Sequence, residues 1–300
     1  MTELVKATAS PQARRGKGHL VPVLTILLAI ILLWYPLAMW MNHDVAQNLA
    51  DDGTSPSEIW LATLSQDRPL LPAPHQIATE LYDGFFGYPI NSVHSLIYHA
   101  GVTASAAIVG FGVAILLGMA LAGGIVHARA LDRSLMPWVI ASQTIPVLAI
   151  APMVVVVLGN VGITGLIPKA LIAGWLSFFP ITTAMVTGLR APDPMQRDLM
   201  RTYGATGAQV FLKLRWPASM AFLFPSLKIA AALALVGAIV AELPTGAQAG
   251  LGARLLAGSY YGQTLQIWAA LFTAAGLALL AIGAVDLAQS GLTCARGGRL

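Results

Sequence analysis

Lys228, Glu242 and Asp286 are ionisable side chains lying in, or at the ends of, long apolar runs. An ionisable group at membrane depth is costly, so it marks either a functional site or an interfacial residue that reaches water. The stem of Lys228 is long enough to carry its ammonium to a polar surface. Asp286 stands near the end of its run. Glu242 is open to both readings, a solute-pathway carboxylate or an interfacial one. Nothing beside these residues provides for covalent chemistry. His19, His43, His75, His94, His99 and His127 lack metal-ligand spacing of the His-Glu-x-x-His kind, and no Gly-x-x-x-x-Gly-Lys-Ser/Thr loop is present to cradle nucleotide phosphates. No Ser/His/Asp set stands out, and no metal or cofactor is expected. The glycine-rich run from Gly246 to Gly252 reads as a tight turn on or into the membrane, with Gly250 and Gly252 as candidate flexible points of an external gate or docking surface. What remains is non-covalent recognition. Gln143, Thr144, Thr182 and Thr183 carry hydrogen-bonding groups into apolar runs, and Trp175 and Phe178 offer flat aromatic faces. These are candidates for lining a solute path, although hydrogen bonding to a neighbouring helix or packing in a bundle would use the same residue types.

The elements that must hold these residues are membrane helices. Of the 300 residues, 57% are hydrophobic and 10% charged, against about 25% charged in an ordinary soluble domain. The mean hydropathy is +0.73. Several uncharged runs exceed the roughly 18 to 20 residues that cross a bilayer core. The expected fold is an all-α polytopic bundle with six spans, at 20–41, 99–126, 134–158, 165–189, 218–243 and 264–288. The first run carries Trp34, Tyr35 and Trp40 near its far end. It is longer than a signal-peptide core of about 7 to 15 residues, so a retained span is expected. Cys294 is the single cysteine, which excludes an intramolecular disulfide.

Charge predicts the orientation. Lys6, Arg14, Arg15, Lys17, Arg129, Arg133, Arg190, Arg197, Arg201, Lys213, Arg215, Arg296 and Arg299 would all fall on one side of six spans, leaving Arg68, Lys169 and Arg254 on the other. The positive-inside rule puts the first group, and both termini, in the cytoplasm. The net charge of +4 therefore marks topology, and no nucleic-acid partner is expected. The expected organisation is a tail at 1–19, the first span at 20–41, an external segment at 42–98, a core of five spans at 99–289 and a tail at 290–300. Within the external segment, Pro74 opens a short amphipathic helix with Ile77, Leu81 and Tyr82 near one face. Glycines in the second span, Gly101, Gly110, Gly112, Gly118, Gly123 and Gly124, point to close helix packing.

One polar stretch interrupts the apolar pattern, from Arg197-Asp198-Leu199-Met200-Arg201-Thr202-Tyr203-Gly204-Ala205 to Leu214-Arg215-Trp216-Pro217. Gly204 lets a helix end and the chain turn. Pro217 suits the start of the next span, and a short helix is expected between them. The spacing resembles the EAA loop of binding-protein-dependent ABC transporter permeases: Glu-Ala-Ala, three residues, Gly, nine residues, Ile, one residue, Leu-Pro. Asp198 stands at the Glu, Leu199 and Met200 at the two Ala, Leu214 at the Ile and Trp216 at the Leu, while Gly204 and Pro217 match outright. Leu71-Pro72-Ala73-Pro74, Gln143-Thr144-Ile145-Pro146, Phe178-Phe179-Pro180-Ile181, Ala241-Glu242 and Ala249-Gly250-Leu251-Gly252 are similar to patterns of the nitrate/sulfonate/taurine branch, so the likeness covers about residues 70 to 289.

The resemblance implies a non-enzymatic permease subunit of an importer, in an inner membrane. It implies cytoplasmic ATPase subunits, an external solute-binding protein and a second permease copy as partners. The loop at 190–217 would contact the ATPase through Arg197, Asp198, Leu199, Met200, Arg201, Tyr203, Gly204, Ala205 and Pro217. A sulfonate, taurine or nitrate is the substrate the branch implies. The aromatic candidates make a flat heterocycle, such as a pyrimidine vitamin precursor, a fair alternative. The rival classes are a proton-coupled secondary transporter, expected to show internal repeats or broken, charged helices, and an intramembrane enzyme.

Overall fold

The computed structural model describes residues 20–50, 54–244 and 248–295. The basic residues expected in the two tails, together with Gly246 and Ala247 of the glycine-rich run, lie outside the described residues. Among the described residues the secondary structure is all-helical. Five helices among the described residues are long and apolar enough to cross a membrane, Val21–Leu49, Leu96–His127, Leu166–Arg190, Gly207–Glu242 and Thr264–Cys294, and Val147–Asn160 is shorter. The chain forms two compact units, Met1–Gln76 and Ile77–Leu300.

In the first unit, helix α1 spans Leu20–Leu49. Its apolar side chains, Leu24, Leu28, Leu32 and Leu33 among them, are exposed, as a lipid-facing span requires. The helix continues past Met41 into polar sequence because Asn42 anchors it. The Asn42 amide donates to the Leu71 carbonyl at 2.9 Å, and its oxygen accepts from the Leu70 and Leu71 N–H groups at 2.8 and 3.1 Å. Helix α2, Pro56–Ala62, opens with a capping box in which Ser55 and Glu58 each accept the other's backbone N–H.

Helix α3, Pro74–Tyr82, begins at the proline the sequence indicated and continues as a π-helical turn over Asp83–Gly87. Ile77 is buried, whereas Tyr82 is exposed. The second unit then contains α4 (Leu96–His127), α5 (Arg129–Ala141), α6 (Val147–Asn160), α7 (Leu166–Arg190), α8 (Pro194–Thr202), α9 (Gly207–Val210), a π-helical turn over Phe211–Arg215, α10 (Trp216–Glu242), α11 (Leu251–Tyr260) and α12 (Thr264–Ala295). Helix α7 packs along both α4 and α10 to form the centre of the bundle. Ala106, Ala107, Ala173, Ala234 and Ala238 form its middle, and larger side chains such as Phe178, Ile181, Met185 and Leu223 fill the end nearer α8. The approach is close: a β-carbon on Gly237 would stand 2.7 Å from the Cα of Ala173. Small residues permit this contact where lipid supplies no hydrophobic drive between helices.

One expectation is corrected and a second is extended. The span at 134–158 is not one helix but α5 and α6, broken around Gln143–Pro146. Pro146 disfavours helical geometry at the residue before it, and the turn closes with the Thr144 N–H donating to the Ala141 carbonyl at 3.0 Å. Between Gly204 and Pro217 lie α9 and the π turn, and Pro217 stands in the first turn of α10, as expected. Beyond the expectation, α9, the π turn and α10 form one unbroken helical path over Gly207–Glu242, and a further short helix, α8, precedes Gly204. The π turn just before Pro217 is what admits a proline there, because its ring would clash with a carbonyl one α-turn back.

Candidate functional site

Three features of the second unit carry polar or recognition chemistry. At the far end of α10 from α8, Glu242 is completely enclosed. The Lys169 ammonium, from the first turn of α7, donates to Oε1 of Glu242 at 3.2 Å and to the Ala249 carbonyl at 2.8 Å. Oε2 accepts from the Thr103 hydroxyl at 2.8 Å and from the Gly252 N–H at 3.0 Å. Thr103 Oγ1 in turn accepts the Leu251 N–H at 2.8 Å. One turn earlier on α4, His99 accepts the Gly250 N–H on Nδ1 at 3.0 Å, which leaves Nε2–H to donate to the Val93 carbonyl at 2.8 Å.

Physically this is a helix cap delivered from elsewhere in the bundle. The first N–H groups of α11 have no intrahelical partner, and its N-cap, Gly250, has no side chain to offer. A carboxylate from α10 and a hydroxyl from α4 supply the acceptors, and negative charge is favoured at a helix N-terminus. The interfacial reading of Glu242 is therefore corrected: its carboxylate is closed off from solvent and fully engaged. The sequence showed Lys169, His99 and Thr103 only as a lone cation and an i, i+4 polar pair in apolar runs. Their convergence on Glu242 is tertiary.

Gly250 has φ +123° and ψ 163°, a conformation essentially restricted to glycine and worth about 1–3 kcal/mol of strain for other residues. A β-carbon there would fall inside the Glu242 carboxylate, and one on Gly252 would stand 2.7 Å from Glu242 Cβ. Gly250→Ala is expected to lower the thermal stability of the purified protein by at least that strain and to open the cap. An unfolding curve matching wild type would contradict the geometry. Nearby, burial raises the Glu80 carboxyl pKa, with the Arg254 charge opposing the rise, while burial lowers the pKa of Arg254 itself.

At the other end, α8 is capped by Asp193, whose carboxylate accepts the Met195 N–H at 2.9 Å. It ends in a Schellman motif: the Ala205 N–H donates to the Met200 carbonyl at 3.0 Å and the Gly204 N–H to the Arg201 carbonyl at 2.9 Å, with Gly204 at φ +68°. Met195, Leu199 and Tyr203 are 80%, 57% and 81% exposed. Four residues apart, they form one apolar stripe, while Arg197 and Arg201 lie on the opposite side. Asp198 pairs with Arg201 at 3.4 Å, and Pro217 is exposed.

Between these ends, an open apolar cleft of about 930 Å³ is lined by Trp138, Ser142, Thr144 and Ile145 around the α5–α6 break and by Trp175 and Phe178 of α7. The Trp175 and Phe178 rings meet edge to face, centroids 5.9 Å apart. Of the sequence candidates, Thr144, Trp175 and Phe178 line this cleft, whereas Gln143 is exposed beside it. The Thr182 and Thr183 hydroxyls donate to the carbonyls of Phe178 and Phe179 at 2.8 and 3.0 Å. Lys228 does not simply reach for solvent but pairs with Asp286, joining α10 to α12. Arg190 pairs with Asp132 at 2.8 Å, joining α7 to α5.

Residues 114–290 match the family described as binding-protein-dependent transport system inner membrane component. The chain is 34% identical to the formylaminopyrimidine transport permease protein ThiX of Halalkalibacterium halodurans over 185 residues, 61% of this chain and 68% of that one. It is 32% identical to the riboflavin transport system permease protein RibX of Chloroflexus aurantiacus over 213 residues, 70% of this chain and 74% of that one. A probable ABC transporter permease protein of Haemophilus influenzae is 29% identical over 72% of this chain and 83% of its own length. The family match spans the bundle from mid-α4 to α12, including α8, the cleft and most of the enclosed Glu242 cluster. The chain thus belongs to the binding-protein-dependent transport system inner membrane components: it is a non-enzymatic, multi-pass permease subunit of an ABC importer, working with ATPase and substrate-binding partners in the inner membrane.

Proposed function

We propose that this permease carries a flat, uncharged nitrogen heterocycle of the vitamin-precursor kind, through a pathway formed by two copies of the chain with both termini in the cytoplasm. The carrying observation is the α5–α6–α7 cleft. Its lining holds Trp138, Trp175 and Phe178, with hydroxyls from Ser142 and Thr144, and no Lys, Arg or His. A sulfonate or nitrate entering it would be desolvated without a counter-charge. A flat ring gains aromatic contact and can donate a ring N–H to the Ser142 or Thr144 oxygen, whose own protons go to the Val139 and Ala141 carbonyls, and the volume suits a small-molecule site. Lys169 is not free for an anion, because it is committed to Glu242 and Ala249. Irregular backbone at the α5–α6 break is tolerated at membrane depth where it lines a cavity. The names of two relatives, a formylaminopyrimidine and a riboflavin permease, point the same way.

In this reading, the Met195–Leu199–Tyr203 stripe docks in the ATPase. The unbroken helical path over Gly207–Glu242, about 50 Å at 1.5 Å per residue, links that docking end to the α11 cap. Movement of α8 is thereby delivered as displacement of Glu242 against Gly250 and Gly252 at an external gate. The test is ATP-dependent uptake in proteoliposomes containing the permease, its ATPase and its binding protein. Labelled aminopyrimidine is expected to accumulate and unlabelled taurine or nitrate to leave uptake unchanged. Trp175→Ala is expected to cut uptake at least tenfold. Uptake of taurine in preference to the pyrimidine would overturn the substrate assignment.

A further inference from the structure

A cleft of about 460 Å³ opens behind α8, on the side away from the apolar stripe. It is lined by His127 at the end of α4, by Arg197, Asp198 and Arg201, and by Phe211 and Arg215 of the π turn. Three guanidinium groups face one carboxylate there, and Asp198 is already paired with Arg201 in an exposed position. Arg197 is different. Its Nε–H is enclosed and has no acceptor among the described residues. An enclosed donor left without an acceptor costs about 1–3 kcal/mol, more when charged, and with three guanidinium groups against one carboxylate the cleft carries an excess of positive charge. His127 does not meet it: the ring is held through Nδ1–H, donated to the Gly123 carbonyl at 3.0 Å, and packs against Phe211 with centroids 5.2 Å apart.

The depth of the cleft suggests what arrives there. Arg215 directly precedes Trp216, the first residue of α10, and His127 is the last residue of α4. The cleft therefore lies where two membrane helices leave the apolar layer, at headgroup level. We propose that it is a binding site for a phosphate group, with Arg197 and Arg215 as its forked donors. A planar guanidinium matches phosphate oxygens in a two-bond geometry that a lysine does not reproduce. Basic pockets between membrane helices hold lipid headgroups by this chemistry, and free phosphate would satisfy the same donors. An occupant would tie α8 to the ends of α4 and α10 and leave the outward stripe free for its partner.

The test uses the full-length protein in detergent, titrated separately with short-chain phosphatidylglycerol and with inorganic phosphate, and read by native mass spectrometry. One phosphatidylglycerol per chain is expected on the wild type, with at least a tenfold loss of affinity in R197Q/R215Q. R197K/R215K keeps the charge and guards against a folding artefact; it is expected to fall between the two. Binding of the lipid but not of inorganic phosphate identifies a headgroup, and equal binding of both identifies a soluble phosphate. The proposal is overturned if neither probe binds the wild type, or if R197Q/R215Q binds as the wild type does. It is likewise overturned if the glutamine pair blocks ATPase assembly with lipid binding untouched, since the cleft would then take a partner's carboxylate.

Discussion

Glu242→Ala will destabilise this permease by about 3–5 kcal/mol, the scale for removing one partner of a buried ion pair. Three groups lose their acceptor together: the Lys169 ammonium, the Thr103 hydroxyl and the Gly252 N–H. Among the described residues, Lys169 alone retains a second acceptor, the Ala249 carbonyl. Glu242→Gln is expected to cost less, because an amide oxygen still serves Thr103 or Gly252 while the charge on Lys169 goes unpaired. Lys169→Met combined with Glu242→Gln should recover part of the single-variant loss, since the uncompensated charge is gone. The measurement is thermal unfolding of the purified protein, with hydrogen exchange at residues 250–252 to localise the change. An alanine variant as stable as the wild type would refute the role given to the carboxylate.

Leu199→Asp will uncouple the permease from its ATPase. Met195, Leu199 and Tyr203 are a contiguous, exposed apolar stripe on a well-capped helix, and the proposed ATPase contact rests on that stripe. A central apolar residue in an interface is worth about 2 kcal/mol or more, at least tenfold in Kd, and a carboxylate placed there also carries a desolvation cost. Co-purification of the ATPase with the variant should fall accordingly, and ATP-driven uptake with it, while the permease alone elutes and melts as wild type. Tyr203→Asp should behave similarly. Lys213→Ala, an exposed residue off the stripe, should leave complex formation intact. Undiminished co-purification of Leu199→Asp would place the ATPase contact elsewhere. This variant also bears on the Leu199-Met200 departure from the Ala-Ala of the family pattern: with Leu199 outward, the departure enlarges the exposed apolar surface of α8.

The membrane class, the approximate positions of most spans and the loop around Gly204 were legible because each rests on local chemistry. Twenty apolar residues read as a span wherever they pack. Gly204 reads as a helix stop because its positive φ is a backbone requirement, and the structure has it as the C′ residue of a Schellman motif. Boundaries that depend on neighbours were less legible. The break at Gln143–Pro146 was hidden inside a continuous apolar run, because hydropathy does not register the geometry a proline forces on the residue before it. Pro217 does stand in the first turn of α10, but the sequence did not show that the π turn before it joins that helix to α9 without a break.

The sequence by itself determined the solvent of this protein, its helical class and its family. Those follow from composition, run length and the backbone needs of single residues. Only the tertiary structure decided what Glu242 does. Its partners stand 73, 139 and 10 positions away at Lys169, Thr103 and Gly252, and no periodicity links residues at such separations. The same holds for the outward turn of Leu199 and the enclosed Nε–H of Arg197. Which face of a helix is buried depends on the helices packed against it, so charge and apolarity along α8 became two distinct surfaces only once the bundle had formed.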